Sequence, residues 1–178
     1  SLVFFPSYIM MEKILENINL NSLGRKIIKE QKFMNKEDKE KHVDNFRDTD
    51  NFNSKSTVLF GVTSGSFAEG LDLPDKMLEM VIVVGLPLGV PDLYTKAVIR
   101  HFDKKFGKGQ MYGYIYPAMN KIIQAGGRCI RTENDRGVIT LMDNRFLWPL
   151  YAQCFPKHWK LERDTNYKIK IGNFFDKK

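Results

Sequence analysis

The chain has 178 residues, 43% of them hydrophobic and 28% charged, which is one domain's worth of polypeptide, able to bury about 70% of its unfolded surface in one core. That composition excludes a disordered, collagenous or low-complexity chain. Lys and Arg number 28 against 21 Asp and Glu, a formal net charge of +7. The excess is one-sided, because residues 1–90 carry 11 basic and 13 acidic groups (−2) and residues 91–178 carry 17 and 8 (+9).

Leu2-Val3-Phe4-Phe5, closed by Pro6-Ser7, reads as a fully buried strand. A helix is expected over residues 8–19, with Ile9, Ile14, Leu15 and Ile18 as its apolar stripe, stopped by Asn21-Ser22-Leu23-Gly24. Lys26 to Lys29 is a second strand. Residues 36–51 are highly charged, and Val43 and Phe46 suit the inner edge of an exposed surface helix. Thr57-Val58-Leu59-Phe60-Gly61-Val62 is a strand that delivers a small, hydroxyl-rich loop. Residues 81–84, Val-Ile-Val-Val, are apolar on both faces, as in a covered parallel sheet. The surrounding uncharged stretch, 80–91, is 12 residues broken by Gly85, Pro87 and Gly89, short of the roughly 20 apolar residues that span a bilayer.

Pro91 is expected to open a helix at its favoured first position, running to about residue 106. A further helix is expected over 112–130, a strand over 137–142, a short helical piece near 146–152, and a weakly patterned polar tail from about 155. Alternating strands and helices of this kind predict an α/β fold with a mostly parallel central sheet and helices on both faces. Functional loops in such sheets lie beyond the carboxyl ends of the strands. The two cysteines, Cys129 and Cys154, have neither metal-ligand nor disulfide-framework spacing and suit a reducing intracellular setting. The abrupt apolar start without Met, and without a signal-peptide layout, reads as part of a longer protein.

Two segments carry chemistry. Thr63-Ser64-Gly65-Ser66-Phe67-Ala68-Glu69-Gly70-Leu71-Asp72 leaves a buried strand with hydroxyls and exposed backbone N–H groups, able to grip phosphate, while Glu69 and Asp72 suit an arginine, a ribose hydroxyl or a magnesium-bound water. In Gln124-Ala125-Gly126-Gly127-Arg128-Cys129-Ile130-Arg131, helical spacing would put Gln124, Arg128 and Arg131 within an arc of roughly 60°. Two guanidinium forks on one face suit a polyphosphate. Gly126 and Gly127, poor helix formers, suggest close packing there. Gly107-Lys108 is followed by Gly109 rather than Ser or Thr, so the chain has no P-loop, and it has no acidic Asp-Glu-x-His box. It carries groups for a γ-phosphate without the cradle for the nucleotide.

Phe4-Phe5-Pro6-Ser7-Tyr8, the 63–72 segment and Gln124-x-x-Gly127-Arg128-x-x-Arg131 resemble motifs IV, V and VI of the superfamily 2 helicases, in order and spacing. Gly70-Leu71-Asp72-Leu73-Pro74 and Thr132-Glu133-Asn134-Asp135-Arg136-Gly137 are most similar to the xeroderma pigmentosum group D (XPD) family of DNA helicases, in its archaeal type. The resemblance implies that residues 1–178 form the second RecA-like motor domain, a three-layer α/β sandwich, of a 5′-to-3′ helicase of nucleotide excision repair. It implies ATP with Mg2+ shared with a first motor domain, a 4Fe–4S cluster elsewhere in the full-length protein, and single-stranded DNA and repair-complex proteins as partners.

By the same resemblance Arg131 is the arginine finger, with Arg128 on the phosphates and Gln124 orienting them. Asp72 faces the ribose or the metal's waters, with Glu69 and Gly70 beside it. Ser7, Tyr8, Thr63, Ser64 and Ser66 line the DNA side, and Arg136 extends it. The implied location is cytoplasmic at the nucleoid, or nuclear in a eukaryote, with no membrane partner. Arg145 and Lys121 read as solvated cations, and Tyr94, Tyr112, Tyr114 and Tyr116 as packing between helix and sheet rather than base-stacking platforms. A binding module without enzymatic activity is the alternative that the basic half leaves open.

Overall fold

A computed structural model describes residues 1–34, 37, 38, 41, 44, 56–70, 78–130, 132, 133 and 135–176, the side chains of 69 and 70 excepted. The exposed helix expected over 36–51 lies outside the described residues apart from positions 37, 38, 41 and 44.

Five parallel strands form the sheet: β1 (Leu2–Phe5), β2 (Lys26–Lys29), β3 (Thr57–Val62), β4 (Met80–Val84) and β5 (Val138–Met142), in the order β2-β3-β1-β4-β5. All four ladders are parallel, with Phe5 opposite Val62 and Val84 opposite Met142. The expected sheet is therefore present, and among the described residues it is wholly parallel. Alternation sends Leu2, Phe4, Leu59, Val81 and Val83 to one face and Val3, Phe5, Phe60 and Val62 to the other. Each face is apolar, so each needs a helical cover, and burying one such side chain contributes about 1.5–3 kcal/mol.

On the second face lies α1 (Tyr8–Leu15), whose buried residues are Met11 and Leu15. The predicted stripe is corrected here. Ile9 is 67% exposed and the helix ends before Ile18, because a helix of two turns needs only the pair four residues apart to meet the sheet. On the first face lie α2 (Ser66–Gly70) and α4 (Tyr116–Gly127), the latter burying Ala118, Met119, Ile122, Ala125 and Gly126. The helix α3 (Leu93–Phe106) precedes a π-helical turn, Met111–Ile115, that leads into α4. Pro91 does not open α3. Asp92 caps it, accepting from Thr95 N at 2.7 Å, and an extended cap with a carboxylate satisfies an orphan N–H that proline at the first position leaves unmet.

The end of the chain departs most from expectation. After a 3-10 turn (Asn144–Leu147) and α5 (Pro149–Ala152), the segment through Trp159 and Leu161 packs onto the first-face core, and α6 (Tyr167–Asp176) follows.

Candidate functional site

At the carboxyl end of the sheet, β1 delivers Pro6-Ser7 and β3 delivers residues 63–65, side by side because Phe5 pairs with Val62. Ser7 is exposed and caps α1, its hydroxyl accepting from Met10 N at 3.2 Å. Thr63 is 2% exposed, and its amide and hydroxyl both donate to Phe5 O, at 2.9 and 3.4 Å. It stitches the two loops together from beneath, so its hydroxyl is turned inward rather than to the DNA side where it was expected. Ser64 is exposed and Ser66 half-buried at the start of α2. The turn closes on itself through Gly65 N to Val62 O (2.8 Å) and Ala68 N to Gly65 O (3.1 Å).

Beneath this turn sits Glu30, one residue past β2 and 1% exposed. Its carboxylate accepts from Val62 N (2.9 Å) and Phe67 N (3.1 Å), and its own amide donates to Phe60 O (2.8 Å). A buried carboxylate is costly without such donors. A side chain at Gly65 would collide with both carboxylate oxygens, and a Cβ at Gly61 would lie 2.9 Å from Oε2. The Tyr8 phenol faces the same group. Burial first, then the charge and hydrogen-bonding contact of Glu30, push it up to about 12. Sequence reasoning missed Glu30; the signal available was an acid directly past the carboxyl end of a parallel strand, where such folds place function.

The arginine segment is built at the other end of α4. That helix stops at Gly127 with Arg128 as its cap, short of the expected residue 130, so the helical arc joining Gln124, Arg128 and Arg131 is not continued. Gln124 is exposed. The Arg128 guanidinium donates through Nη2 to Ala68 O of α2, which ties the end of α4 to the helix that begins at the serine-bearing turn. Cys129 is buried, its Sγ reaching Leu78 O at 3.4 Å, and burial pushes its thiol up. Leu78 precedes β4, so α4 ends where β4 and β5 begin. The two motif clusters thus occupy opposite ends of the sheet, and α2 links them. Arg131 and Asp72 lie outside the described residues, as do the side chains of Glu69 and Gly70. The paired glycines differ: a Cβ on Gly126 would lie 2.7 Å from Trp159 Cη2, whereas one on Gly127 meets nothing within 4 Å. Close packing is met at Gly126 alone.

Two further arginines are engaged. Arg136 donates to Phe174 O at 2.8 Å and lies 5.2 Å from that ring's centroid, so it is held against α6. Arg145 grips Asp143 with Nε at 3.0 Å and Nη2 at 2.6 Å, and these hydrogen bonds hold the Asp143 carboxyl below its ordinary value. Tyr112 packs with Phe102, Phe106 and Tyr116 between α3 and the π-helical turn rather than on the sheet, and Tyr114 donates to Gly89 O. Among the described residues no three His, Cys, Asp or Glu side chains cluster as metal ligands.

The chain matches the helicase C-terminal domain family over residues 1–162. It is 33% identical over 158 residues to the ATP-dependent DNA helicase DinG of Photobacterium profundum, covering 86% of this chain and 22% of that protein. It is 32% identical over 161 residues to the ATP-dependent DNA helicase XPD of Sulfolobus acidocaldarius, covering 86% of this chain and 27% of that one. An apo XPD structure superposes with a TM-score of 0.64 at 29% identity, over 86% of this chain and 30% of the other. The S. tokodaii Xpd4 structure shares the fold, with a TM-score of 0.58 at 22% identity over 88% of this chain and 28% of that one. The chain spans about a quarter of the length of these curated relatives.

Proposed function

Because the chain belongs to the helicase C-terminal domain family, we propose that it is the second motor domain of an XPD-type, ATP-dependent DNA helicase, working with a first motor domain that supplies the P-loop and acidic box. The observation that carries this reading is the Arg128 to Ala68 hydrogen bond. It joins the arginine segment to the short helix whose other end is the serine-bearing turn, so a change at one end has a rigid path to the other.

The Arg128 guanidinium donates through Nη2 to Ala68 O, and a planar fork of N–H donors is the geometry that polyphosphate takes. ATP with Mg2+, when bound, supplies the phosphoryl group whose transfer to water drives the motor. Within this domain Arg128 orients the phosphates, Gln124 offers an exposed amide one turn earlier, and Arg131 is the group that meets the developing charge. Asp72, with Glu69 and Gly70 beside it, faces the ribose and the metal's waters. Ser7, Tyr8, Ser64 and Ser66 meet the single-stranded DNA backbone with little sequence preference, and Thr63 sets the spacing of the two loops. Arg136, two residues before β5 and held against α6, stands at the opposite end of the sheet from these loops and is left out of that edge.

Residues 1–178 are read as one domain. A 4Fe–4S cluster takes four thiolates, which Cys129 and Cys154 cannot furnish, so the cluster is assigned to another part of the full-length protein. Work in the 5′-to-3′ direction, a role in excision repair and association with repair-complex proteins complete the proposal. Among the described residues no helix is long and apolar enough to cross a membrane, and the proposed location is with the DNA, at the nucleoid or in the nucleus.

The test is Arg131→Ala in the full-length protein. An arginine finger is worth about 10³–10⁵ in turnover, so ATP hydrolysis is abolished while single-strand binding persists; this domain alone shows no ATPase. Near wild-type turnover overturns the assignment. Steeply salt-dependent binding by the domain alone, with no ATP hydrolysis by the unmutated full-length protein, would instead support a binding module without enzymatic activity.

A further inference from the structure

A carboxyl group that is 1% exposed needs protein donors and acceptors in place of its lost water. The two oxygens of Glu30 receive amides from two different segments, Val62 at the end of β3 and Phe67 in the first turn of α2. The residues between them are 63–66, the turn that carries Ser64 and Ser66. Gly61 and Gly65 form the wall on one side, where side chains would strike the carboxylate. Tyr8, the first residue of α1, faces it from another segment.

We infer that Glu30 is a positioning residue for the nucleic-acid edge, its carboxylate clamping both ends of the 63–66 turn and the Tyr8 side chain into one arrangement. The inference rests on the reading of that edge as the face that meets the DNA backbone. Three segments that follow β1, β2 and β3 are thereby fixed by one buried group, while Ser64 is left exposed. Glutamate has the reach for this. Aspartate is one methylene shorter, and glutamine would turn an N–H donor toward an amide that is itself a donor.

The experiment measures binding of a fluorescent oligothymidylate to the full-length protein by anisotropy, together with hydrogen exchange of the Val62 and Phe67 amides. Glu30→Gln weakens DNA binding by about tenfold, the size set by one charged hydrogen bond, and speeds exchange at those two amides while β1 and β4 stay protected. Tyr8→Phe keeps the ring, folds, and weakens binding by a smaller factor. The double variant is no weaker than Glu30→Gln alone, because both substitutions break the same clamp. Additive losses, or faster exchange throughout the sheet, would mark Glu30 as a merely structural group and overturn the inference. Ser64→Asp separates the two layers of the argument. If it leaves DNA binding unchanged, the reading of the edge fails and the inference falls with it. If it weakens binding while Glu30→Gln and Tyr8→Phe do not, the inference alone is overturned.

Discussion

Gly126→Ala adds one methyl group where the structure has no room for it. The new carbon would lie 2.7 Å from Trp159 Cη2, 3.3 Å from Ile139 Cδ1 and 3.4 Å from Ile139 Cγ2, against about 3.5–4.0 Å for relaxed carbon contacts. The indole must therefore retreat by roughly 1 Å. It is stacked on Phe155 at 5.7 Å and 23°, and Phe155 is edge-on to Phe146 at 6.0 Å, so the retreat disturbs a chain of rings. Overpacking of this kind costs about 1–3 kcal/mol, and the better helix propensity of alanine returns about 1 kcal/mol. Gly127→Ala has the propensity gain without the collision. The two variants should thus melt roughly 2–12 °C apart, Gly127→Ala the higher, at about 2–4 °C per kcal/mol for a chain this long. Thermal unfolding followed by far-UV circular dichroism measures the gap, and tryptophan emission reports the indole, since Trp148 is the only other one. Equal melting temperatures, or Gly127→Ala melting first, would refute the packing argument.

Asp143 is held below its ordinary value by Arg145, so its contribution to stability is present above the unfolded value of 3.8 and is lost as pH falls through the lower folded value. Asp143→Asn should therefore melt below wild type at neutral pH and converge with it in acid, a gap constant with pH being the contrary result. Tyr8 runs the other way: its folded value of about 12 exceeds its ordinary value of 10.0, so wild type loses stability as pH rises between them, and Tyr8→Phe flattens that limb of the urea-denaturation profile. Arg136→Ala removes the bond and ring contact to Phe174, worth about 1 kcal/mol at an exposed site. Amides of α6 should exchange faster while β1 and β4 keep their protection, and unchanged α6 exchange would show that the helix is held by other contacts.

The strands were legible because strands covered on both faces leave a compositional mark: β1 and β3 begin and end where their β-branched and apolar runs do, while β2 keeps only Ile27 and Ile28 between two lysines. Helix boundaries were harder, since rules compete there. Pro91 and Asp92 each signal a helix start, and the carboxylate cap prevailed. The spacing that joined Gln124 to Arg131 assumed a helix through Gly126-Gly127, which ends there. Glu30 was invisible for a different reason: one acid after a strand reads as solvated unless it is known that the chain returns over it at Gly61 and Gly65. The docked tail hid because Phe155 and Trp159 stand among polar neighbours, and their partner Gly126 is a residue with no side chain to betray the contact.

The place of β1 in the middle of the sheet bears on how the chain is made. Leu2 pairs with Leu59 on one side and Val81 on the other, partners 57 and 79 residues further along. All four of its side chains end up buried, none more than 8% exposed. Parallel pairing over such separations is slow to form, and at synthesis rates of about 5–20 residues per second the second partner emerges roughly 4–16 s after the strand itself. For that interval the strand most completely enclosed in the finished domain lacks at least one of the two neighbours that enclose it. Aggregation during synthesis, and any need for a chaperone, should therefore originate at residues 2–5 and respond to polar substitution there before any other strand.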